Sequence, residues 1–517
     1  MLADDQHSEV MTEAALTLSL LAETSNRRTL IAEAVMPRLV SLLGASGTPE
    51  LRNISASILR QLSKNDDLIP GIATAALPAL SELLRDATNA DGRQHAADAL
   101  ENIAGRAELR LQISHLTLPA LFNLLYNKAH PCCRASAARV LAQLGKNKDL
   151  CTTIANGVLS TLCSCLQADS VDCRASAASA LLSLSMYAHL HMLIMRESLP
   201  GLLLLLSDQT APRARVAAAG IIANLAEDAA SRQRLMEAAL PALVTLLEDV
   251  TVPEGRECAA DAIRSLAVGE SYARSLRIAD AAVTGLVALL LDKAALAGRQ
   301  AAANALWCLS CCSELRVRIA EKVLPALVTF ARESSDAGGA AAAAIANFAP
   351  SSALQAQVQI VGLPKLVSQL QAIACPSDRS SAAEAITKLA ADPALRQALV
   401  TSALPALADL LMDVRVPEGQ TRAAAAILSL ATGGSPDRSE QMTEAVLTGL
   451  KALLKAGSLP SGQEYAALAL GRLAELSTHA LRCRISAAVS TDLASLWRDA
   501  PNDAIKEVAS WALQQMF

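Results

Sequence analysis

Leu240-Pro-Ala-Leu-Val-Thr-Leu-Leu247 is the stretch on which the fold turns. Its apolar side chains fall at i, i+3, i+4 and i+7, the spacing of one buried helical stripe. Outward from it in both directions the phrase returns, with its first residue at Met36, Leu77, Leu118, Leu159, Leu199, Leu240, Val283, Leu324, Leu363, Leu404, Leu447 and Val489, at intervals of 39 to 43 residues. Eight of the twelve markers carry Pro as their second residue. Pro at the first helical position gives up an N–H that would be unbonded there anyway, so each marker is expected to open a helix. Self-similarity at this period means stacked helical units, none of which can bury its apolar face alone.

A second phrase follows each marker after a polar loop, as in Ala96-Ala-Asp-Ala-Leu-Glu-Asn-Ile-Ala104 and Ala259-Ala-Asp-Ala-Ile-Arg-Ser-Leu-Ala267. Its small residues let neighbouring helices approach toward the lower end of the ~8–10 Å interaxial range. A shorter amphipathic stretch, such as Ser231-Arg-Gln-Arg-Leu-Met-Glu-Ala-Ala239, leads to the next marker, giving three helices per unit. Composition agrees: 52% of residues are of the AVILMFWYC class yet only 2% are aromatic, so burial rests on Ala, Leu, Val and Ile.

This unit, with Leu-Pro opening its second helix and Ala-Ala-x-Ala-Leu on its third, resembles the armadillo repeat, and the resemblance runs over essentially the whole chain. It implies an all-α fold, a right-handed α-solenoid superhelix of about 12 three-helix repeats. HEAT repeats have a similar period but read as two helices per unit, without the short helix before Leu-Pro. The organisation expected is a partial N-terminal repeat or cap over 1–35, tandem repeats over 36–487 and a capping repeat over 488–517. Residues Ala14 to Ala22 read as the third helix of a unit whose first two are missing, and Leu16 and Leu20 stand where other units are polar or small. That end is expected to be covered by Met1 to Val10, by a partner or by upstream sequence. The other end stops on the last third helix, at Phe517. Two units also share a run, Leu246-Leu-Glu-Asp-Val-Thr-Val-Pro-Glu-Gly255 and Leu410-Leu-Met-Asp-Val-Arg-Val-Pro-Glu-Gly419, which reads as a duplicated block or as one loop shape kept twice.

Charge and motifs exclude several classes of function. A net charge of -5 gives no basic field for nucleic acid or an anionic membrane, and eleven aromatics make a poor supply of stacking platforms for single strands. The apolar runs, Leu199 to Leu206 and Ala340 to Ala346, fall short of the ~20 residues of a membrane span. Leu2 replaces the glycine that myristoylation needs, and the chain opens without a secretory signal, so reduced thiols and a cytoplasmic or nuclear location are expected. Cys308-Leu-Ser-Cys311-Cys312 lacks a second pair at zinc-ribbon spacing, Cys163, Cys165, Cys132 and Cys133 read as buried thiols, and His189 and His191 lie on different helix faces. No P-loop, G-x-S-x-G, H-E-x-x-H or kinase signature occurs. No catalytic residue, metal site or cofactor is assigned, and the chain reads as a non-enzyme.

In the armadillo family the third helices line a concave groove, and an Asn on each commonly bonds the main chain of an extended peptide. That position falls here at Gln61, Asn102, Gln143, Ser183, Asn224, Ser265, Cys308, Asn347, Lys388, Ser429, Arg472 and Gln515. A polar side chain every ~10 Å matches about three extended residues at ~3.3 Å each, so amides at this spacing can pair with a peptide backbone; the alternative is a merely solvated face. Gln61, Asn102, Gln143, Asn224, Asn347 and Gln515 are the candidate peptide contacts. Four residues earlier, where import receptors carry Trp, stand Ser57, Asp98, Arg139, Ser179, Gly220, Asp261, Asn304, Ala343, Glu384, Ala425, Leu468 and Trp511, which disfavours a nuclear import adaptor. Asp98, Asp261 and Glu384 suggest pockets for basic side chains, Lys388 and Arg472 a different preference. A third ladder, Arg52, Arg93, Arg134, Arg174, Arg215, Arg256, Arg299, Gly338, Arg379, Gln420, Gln463 and Lys506, sits roughly 140° from the Trp position. It reads as guanidinium forks bonding carbonyls of adjacent loops, with a basic ridge for phosphate as the alternative.

The expected function is a scaffold or adaptor that holds extended segments of partner proteins. The alternatives are the substrate-binding array of a ubiquitin ligase, for which a U-box would have to precede Met1, and a fixed component of a large assembly such as a cilium or vacuolar junction. The partner itself is not legible.

Overall fold

A computed structural model describes residues 8–24, 27–44, 48–269, 271–333, 339–348, 363–371, 376–432, 436–455, 459–500 and 502–516. Gly338, the first residues expected to cover the N-terminal end, and Phe517 lie outside this set. Among the described residues there is no strand. The chain forms two compact units, Met1–Leu266 and Ala267–Phe517.

In the first unit longer helices α2 (Arg28–Leu43), α4 (Ile69–Leu83), α6 (Arg110–Tyr126), α8 (Lys148–Cys165), α10 (His191–Ser207) and α12 (Ala229–Glu248) alternate with Ala-rich ones. The latter are α1 (Ser8–Ala22), α3 (Pro49–Leu62), α5 (Ala90–Ala104), α7 (Pro131–Leu144), α9 (Val171–Ser185), α11 (Pro212–Leu225) and α13 (Pro253–Ala267). Odd helices from α1 to α11 pack on odd ones and even on even, so two helical layers face each other. The second unit repeats the plan. Its even helices are α14 (Tyr272–Leu291), α16 (Ser313–Glu333), α18 (Leu363–Leu370), α20 (Pro393–Met412), α22 (Pro436–Leu453) and α24 (His479–Asp499). Its odd helices are α15 (Leu296–Cys311), α17 (Gly339–Phe348), α19 (Pro376–Leu389), α21 (Pro417–Ala431), α23 (Pro460–Glu475) and α25 (Asp503–Gln514). The second phrase of each unit thus builds one layer and the Leu-Pro phrase the other.

One expectation is corrected. At seven of the eight proline markers the Leu-Pro does not open a helix: Pro37, Pro78, Pro119, Pro200, Pro241, Pro325 and Pro405 lie inside one, while the residues before Leu363-Pro364 lie outside the described set. The short stretch before the marker continues through the proline, which forgoes one main-chain bond while its flanks pack on the neighbouring long helices. The first two expected helices are therefore one, and helix count does not separate armadillo from HEAT units. The N1 rule itself holds elsewhere, at Pro49, Pro131, Pro212, Pro417 and Pro460, which begin odd helices.

Most of the arginine ladder is structural, whereas Arg93 is buried with no partner for its Nε. The Nε of Arg134, Arg215, Arg256, Arg299 and Arg379 donates to the carbonyl nine residues back, at 2.7 to 3.1 Å. That carbonyl belongs to the last turn of the preceding long helix, the negative end of its dipole. The other arm reaches the next repeat: Arg52 meets Asp86 at 2.8 Å, Arg174 meets Asp208 at 2.9 Å, and Arg215 and Arg379 meet Asp249 and Asp413, both at 2.5 Å. Gln420 and Gln463 keep a carbonyl bond, to Leu411 and Lys455, but the residues 34 further on are Leu454 and Trp497. The charge and its partner are lost together. The shared loop of Asp249 and Asp413 follows from this clasp, and Gly255 and Gly419 pack closely beside it, where a Cβ would lie 2.7 Å from the Leu246 side chain and 2.8 Å from that of Val416.

The aspartates of the clasp make stability sensitive to acid. Asp86 and Asp208 are held below the usual carboxylate range by the Thr88 and Thr210 hydroxyls and then by the clasping arginine; Asp249 by Thr251 and Arg215; Asp413 by Arg415 and Arg379. A carboxylate whose folded pKa is depressed stabilises the fold above its unfolded value of about 4, and this contribution is lost as pH falls through the folded value. The thermal midpoint is therefore expected to fall below about pH 4, and Asp208→Asn with Asp249→Asn to flatten that slope. An unchanged slope in the double variant would remove the clasp as its cause.

Candidate functional site

The outward faces of the odd helices carry the polar ladder, and the chain has already committed part of it. Asn102 Nδ2 donates to Ser63 Oγ at 3.0 Å, Asn224 Nδ2 to Ser185 Oγ at 2.9 Å, and Asn347 Nδ2 to Ser310 Oγ at 2.9 Å. Each serine, itself buried, passes its own proton to a carbonyl three residues back, those of Arg60, Leu182 and Trp307. Every asparagine of the ladder is thus tied to the preceding repeat by the same relay. The signal was in the sequence: two residues after a ladder position, serine occurs only at 63, 185 and 310, each time one repeat before an asparagine.

The anchoring has two consequences. Asn102 and Asn224 remain half-exposed, and among the described residues nothing donates to their Oδ1 atoms, which are held in fixed orientations. Gln61 and Asn347, by contrast, are only 6% and 7% exposed and leave the list of peptide contacts. The Gln61 Oε1 is shielded and accepts no bond. Gln143 is half-buried and accepts from Lys146 Nζ at 2.9 Å, while Gln515, also half-buried, caps α25 through its main chain.

The acidic candidates are corrected too. Asp98 takes Arg139 of the next repeat at 2.6 Å and the Ser136 hydroxyl at 2.7 Å, and Glu101 shares the same guanidinium. Glu384 pairs with Arg422 and with Lys388 at 3.2 Å. Asp261 has only a long contact to Arg264, 3.5 Å, with both side chains well exposed. A cation from this chain already fills the first two places, so neither is an open pocket for a partner's Lys or Arg. Trp511 is likewise covered: the Arg472 guanidinium lies 5.2 Å over its ring.

A second arginine ladder was missed. Arg28, Arg110, Arg232, Arg316 and Arg396 each donate Nε to a carbonyl six residues back, at the end of the preceding odd helix. His191 takes this place in its repeat, its Nε2 lying 2.8 Å from the Ser185 carbonyl. His189 instead meets Thr152 Oγ1 at 3.1 Å, so the two imidazoles diverge. Among the described residues there is no disulfide, and no group of three His, Cys, Asp or Glu side chains is placed to hold a metal. Cys132 and Cys311 are exposed rather than buried. The stretch Ala188–Ser207 is long and apolar enough for a span, contrary to the run-length reading, but 56% of its most apolar window is buried inside the first unit.

Comparison with solved structures finds parallels for the fold. An engineered protein superposes with a TM-score of 0.58 and 22% identity over 85% of this chain and 98% of its own. A chain from a study of a phosphorylation switch controlling the interaction between cadherin and beta-catenin superposes with a TM-score of 0.56 and 17% identity, over 91% of this chain and 97% of its own. The chain is an all-helical repeat solenoid. No protein-family model matches it, and no curated protein matches its sequence. At these identities the likeness speaks for the solenoid fold and for nothing finer.

Proposed function

We propose that the chain is a non-enzymatic, armadillo-type scaffold whose odd-helix face binds extended segments of partner proteins. The observation that carries this reading is the pair of anchored amides: half-exposed Asn102 and Asn224 are fixed by Ser63 and Ser185, and no described group donates to their Oδ1 atoms. A fixed acceptor loses little conformational entropy when a peptide N–H arrives, which is the advantage of a preorganised site. The beta-catenin comparison supports a protein-binding repeat without supplying a partner.

Replacing the asparagines would break the serine relay as well as the site. Ser179 is a better probe, because it is exposed on α9 one turn before the ladder position and bonds only the Ala175 carbonyl. Ser179→Arg is expected to leave stability within about 0.5 kcal/mol, while weakening peptides selected from a random display library on the full chain by about tenfold or more, equivalent to about 1.4 kcal/mol. Titration of labelled peptide into both proteins reads this directly. A library that yields no binder, or binders indifferent to Ser179→Arg, would discard the groove.

A further inference from the structure

One cation of the odd-helix face lacks the partner that its position calls for. Arg139 of α7 meets Glu101 of α5 at 2.8 Å and Asp98 at 2.6 Å. One repeat of 41 residues back, the same register sets Asp98 of α5 against Arg60 of α3. That ion pair does not form: Asp98 is given to the next repeat, where it holds Arg139 and the Ser136 hydroxyl. Among the described residues no group bonds the Arg60 guanidinium. Other cations of this face are paired, Lys388 and Arg422 with Glu384, and Arg472 with Glu475 at 2.6 Å.

Arg60 is not a freely solvated side chain. Asn53, Ser57 and Arg60 fall at i, i+4 and i+7 on α3, each half-buried, and the Arg60 Nε is shielded without a bonding partner. The Gln61 Oε1 beside it and the His95 Nδ1 on α5 are shielded and unpartnered as well. Buried polar atoms are nearly always hydrogen-bonded, and a partly desolvated cation without an anion is costly, so such a cluster marks a place completed from outside the chain. The Nη atoms of Arg60 and the Nε2 of His95 are not shielded and have no partner among the described residues, which leaves them for an incoming oxygen. Burial and then the Arg60 charge lower the pKa of His95, against the raising effect of Asp98 and Asp91, so the charge of the cluster is that of Arg60. The Asn102 amide adjoins it, its Nδ2 lying 3.4 Å from the Arg60 carbonyl.

We propose that Arg60 and His95 form a subsite on the odd-helix face for the carboxylate of an Asp or Glu side chain carried by a bound peptide segment. The inference rests on the groove reading and adds the side-chain chemistry selected at one end of it. A guanidinium offers parallel N–H groups to the two oxygens of a carboxylate. Asn102, whose Oδ1 receives no bond from a described group, stands beside the subsite to take a main-chain N–H of the same segment. A single positive charge matches a monoanion. A phosphoryl group, with a charge of about -1.5 to -2, would be left underbalanced beside Asp98.

The test selects binders to the full chain from a random library of about 16-residue peptides, because Arg60 and Ser179 lie three repeats apart, about 30 Å, which about nine extended residues cover. Binders weakened by Ser179→Arg are expected to share an Asp or Glu at one position. Alanine in its place should weaken binding to the parent chain about tenfold. On Arg60→Gln, with helical circular dichroism retained, the acidic and alanine peptides should bind within about twofold of each other. On Arg60→Glu the peptide with Lys at that position should bind tighter than the acidic one, a gain that misfolding cannot imitate. If neither variant folds, the parent chain decides through the peptides alone: glutamine in place of the acid must weaken binding, and equal affinity overturns the proposal. Phosphoserine at that position is expected to bind no tighter than Glu, and tighter binding overturns the carboxylate assignment. Binders that depend on Ser179 yet share no acidic position, or that keep their acidic preference on folded Arg60→Gln, overturn the subsite and leave the groove standing, whereas a library without binders overturns both.

Discussion

Arg215→Ala is expected to cost the first unit about 3 kcal/mol, the lower end for breaking a buried ion pair by removing one partner. Arg215 is the most completely buried of the ladder, 1% exposed, and holds both the Leu206 carbonyl and Asp249. The variant leaves a helix-end carbonyl without a donor and a mostly buried carboxylate without its cation, and each loss is penalised by desolvation. Arg215→Gln should cost less, because a glutamine amide at this position can still reach the carbonyl, as Gln420 does with Leu411 at 2.7 Å. Urea unfolding of Arg215→Ala, Asp249→Ala and the double variant gives the coupling energy directly. A single variant within about 0.5 kcal/mol of the parent, the ordinary range for an uninvolved surface residue, would mean that the clasp does not hold the repeats together.

Ala178→Leu is expected to cost a similar amount, about 3 kcal/mol, the upper part of the usual range for overpacking. Ala178 is fully buried on α9, which packs between α7 and α11, and Ala138 and Ala218 have no exposed surface either. The odd-helix layer is close-packed through methyl groups, so three added carbons have no space without separating two helices. The same substitution should reduce peptide binding, since the Asn224–Ser185 relay spans α9 and α11. Unfolding midpoints and peptide titration check both parts. A variant as stable as the parent would show that the layer has room that its burial denies.

The layer plan was legible because the period is in the side chains that fill it. Leu240, Leu243 and Leu247 are buried as their spacing requires, with Val244 half-buried beside them, and Ala96, Ala97, Ala99 and Leu100 are buried likewise. The fork-like reading of the arginine ladder was legible as well, since a cation in the first turn of a helix opposes the dipole and needs some other anion or carbonyl. The position of the helix break was not. Proline is favoured at N1 but also tolerated inside a packed helix, and nothing in Leu240-Pro-Ala-Leu alone distinguishes the two; the choice depends on whether the preceding residues, Leu235, Met236 and Ala239, have a surface to bury against, and they do. For the site, periodicity located the polar positions but not their partners. Whether Asp98 is open or satisfied depends on Arg139, 41 residues away, and only the stacking of α5 on α7 brings the two together.

The two glutamines of the second unit bear on how it comes apart. A stack of repeats behaves as a one-dimensional lattice whose cooperativity is set by the bonds between neighbouring sites. Arg379 supplies such a bond through Asp413, but Gln420 and Gln463 hold only the carbonyls of their own repeats. From α22 onward the clasp contributes no ionic coupling between neighbours, so the stretch α22 to α25 can open without the helices before it. Its amide protons should exchange through a smaller opening free energy than those of α19 to α21, leaving this end of the second unit as the segment that frays and re-zips while its remainder stays folded.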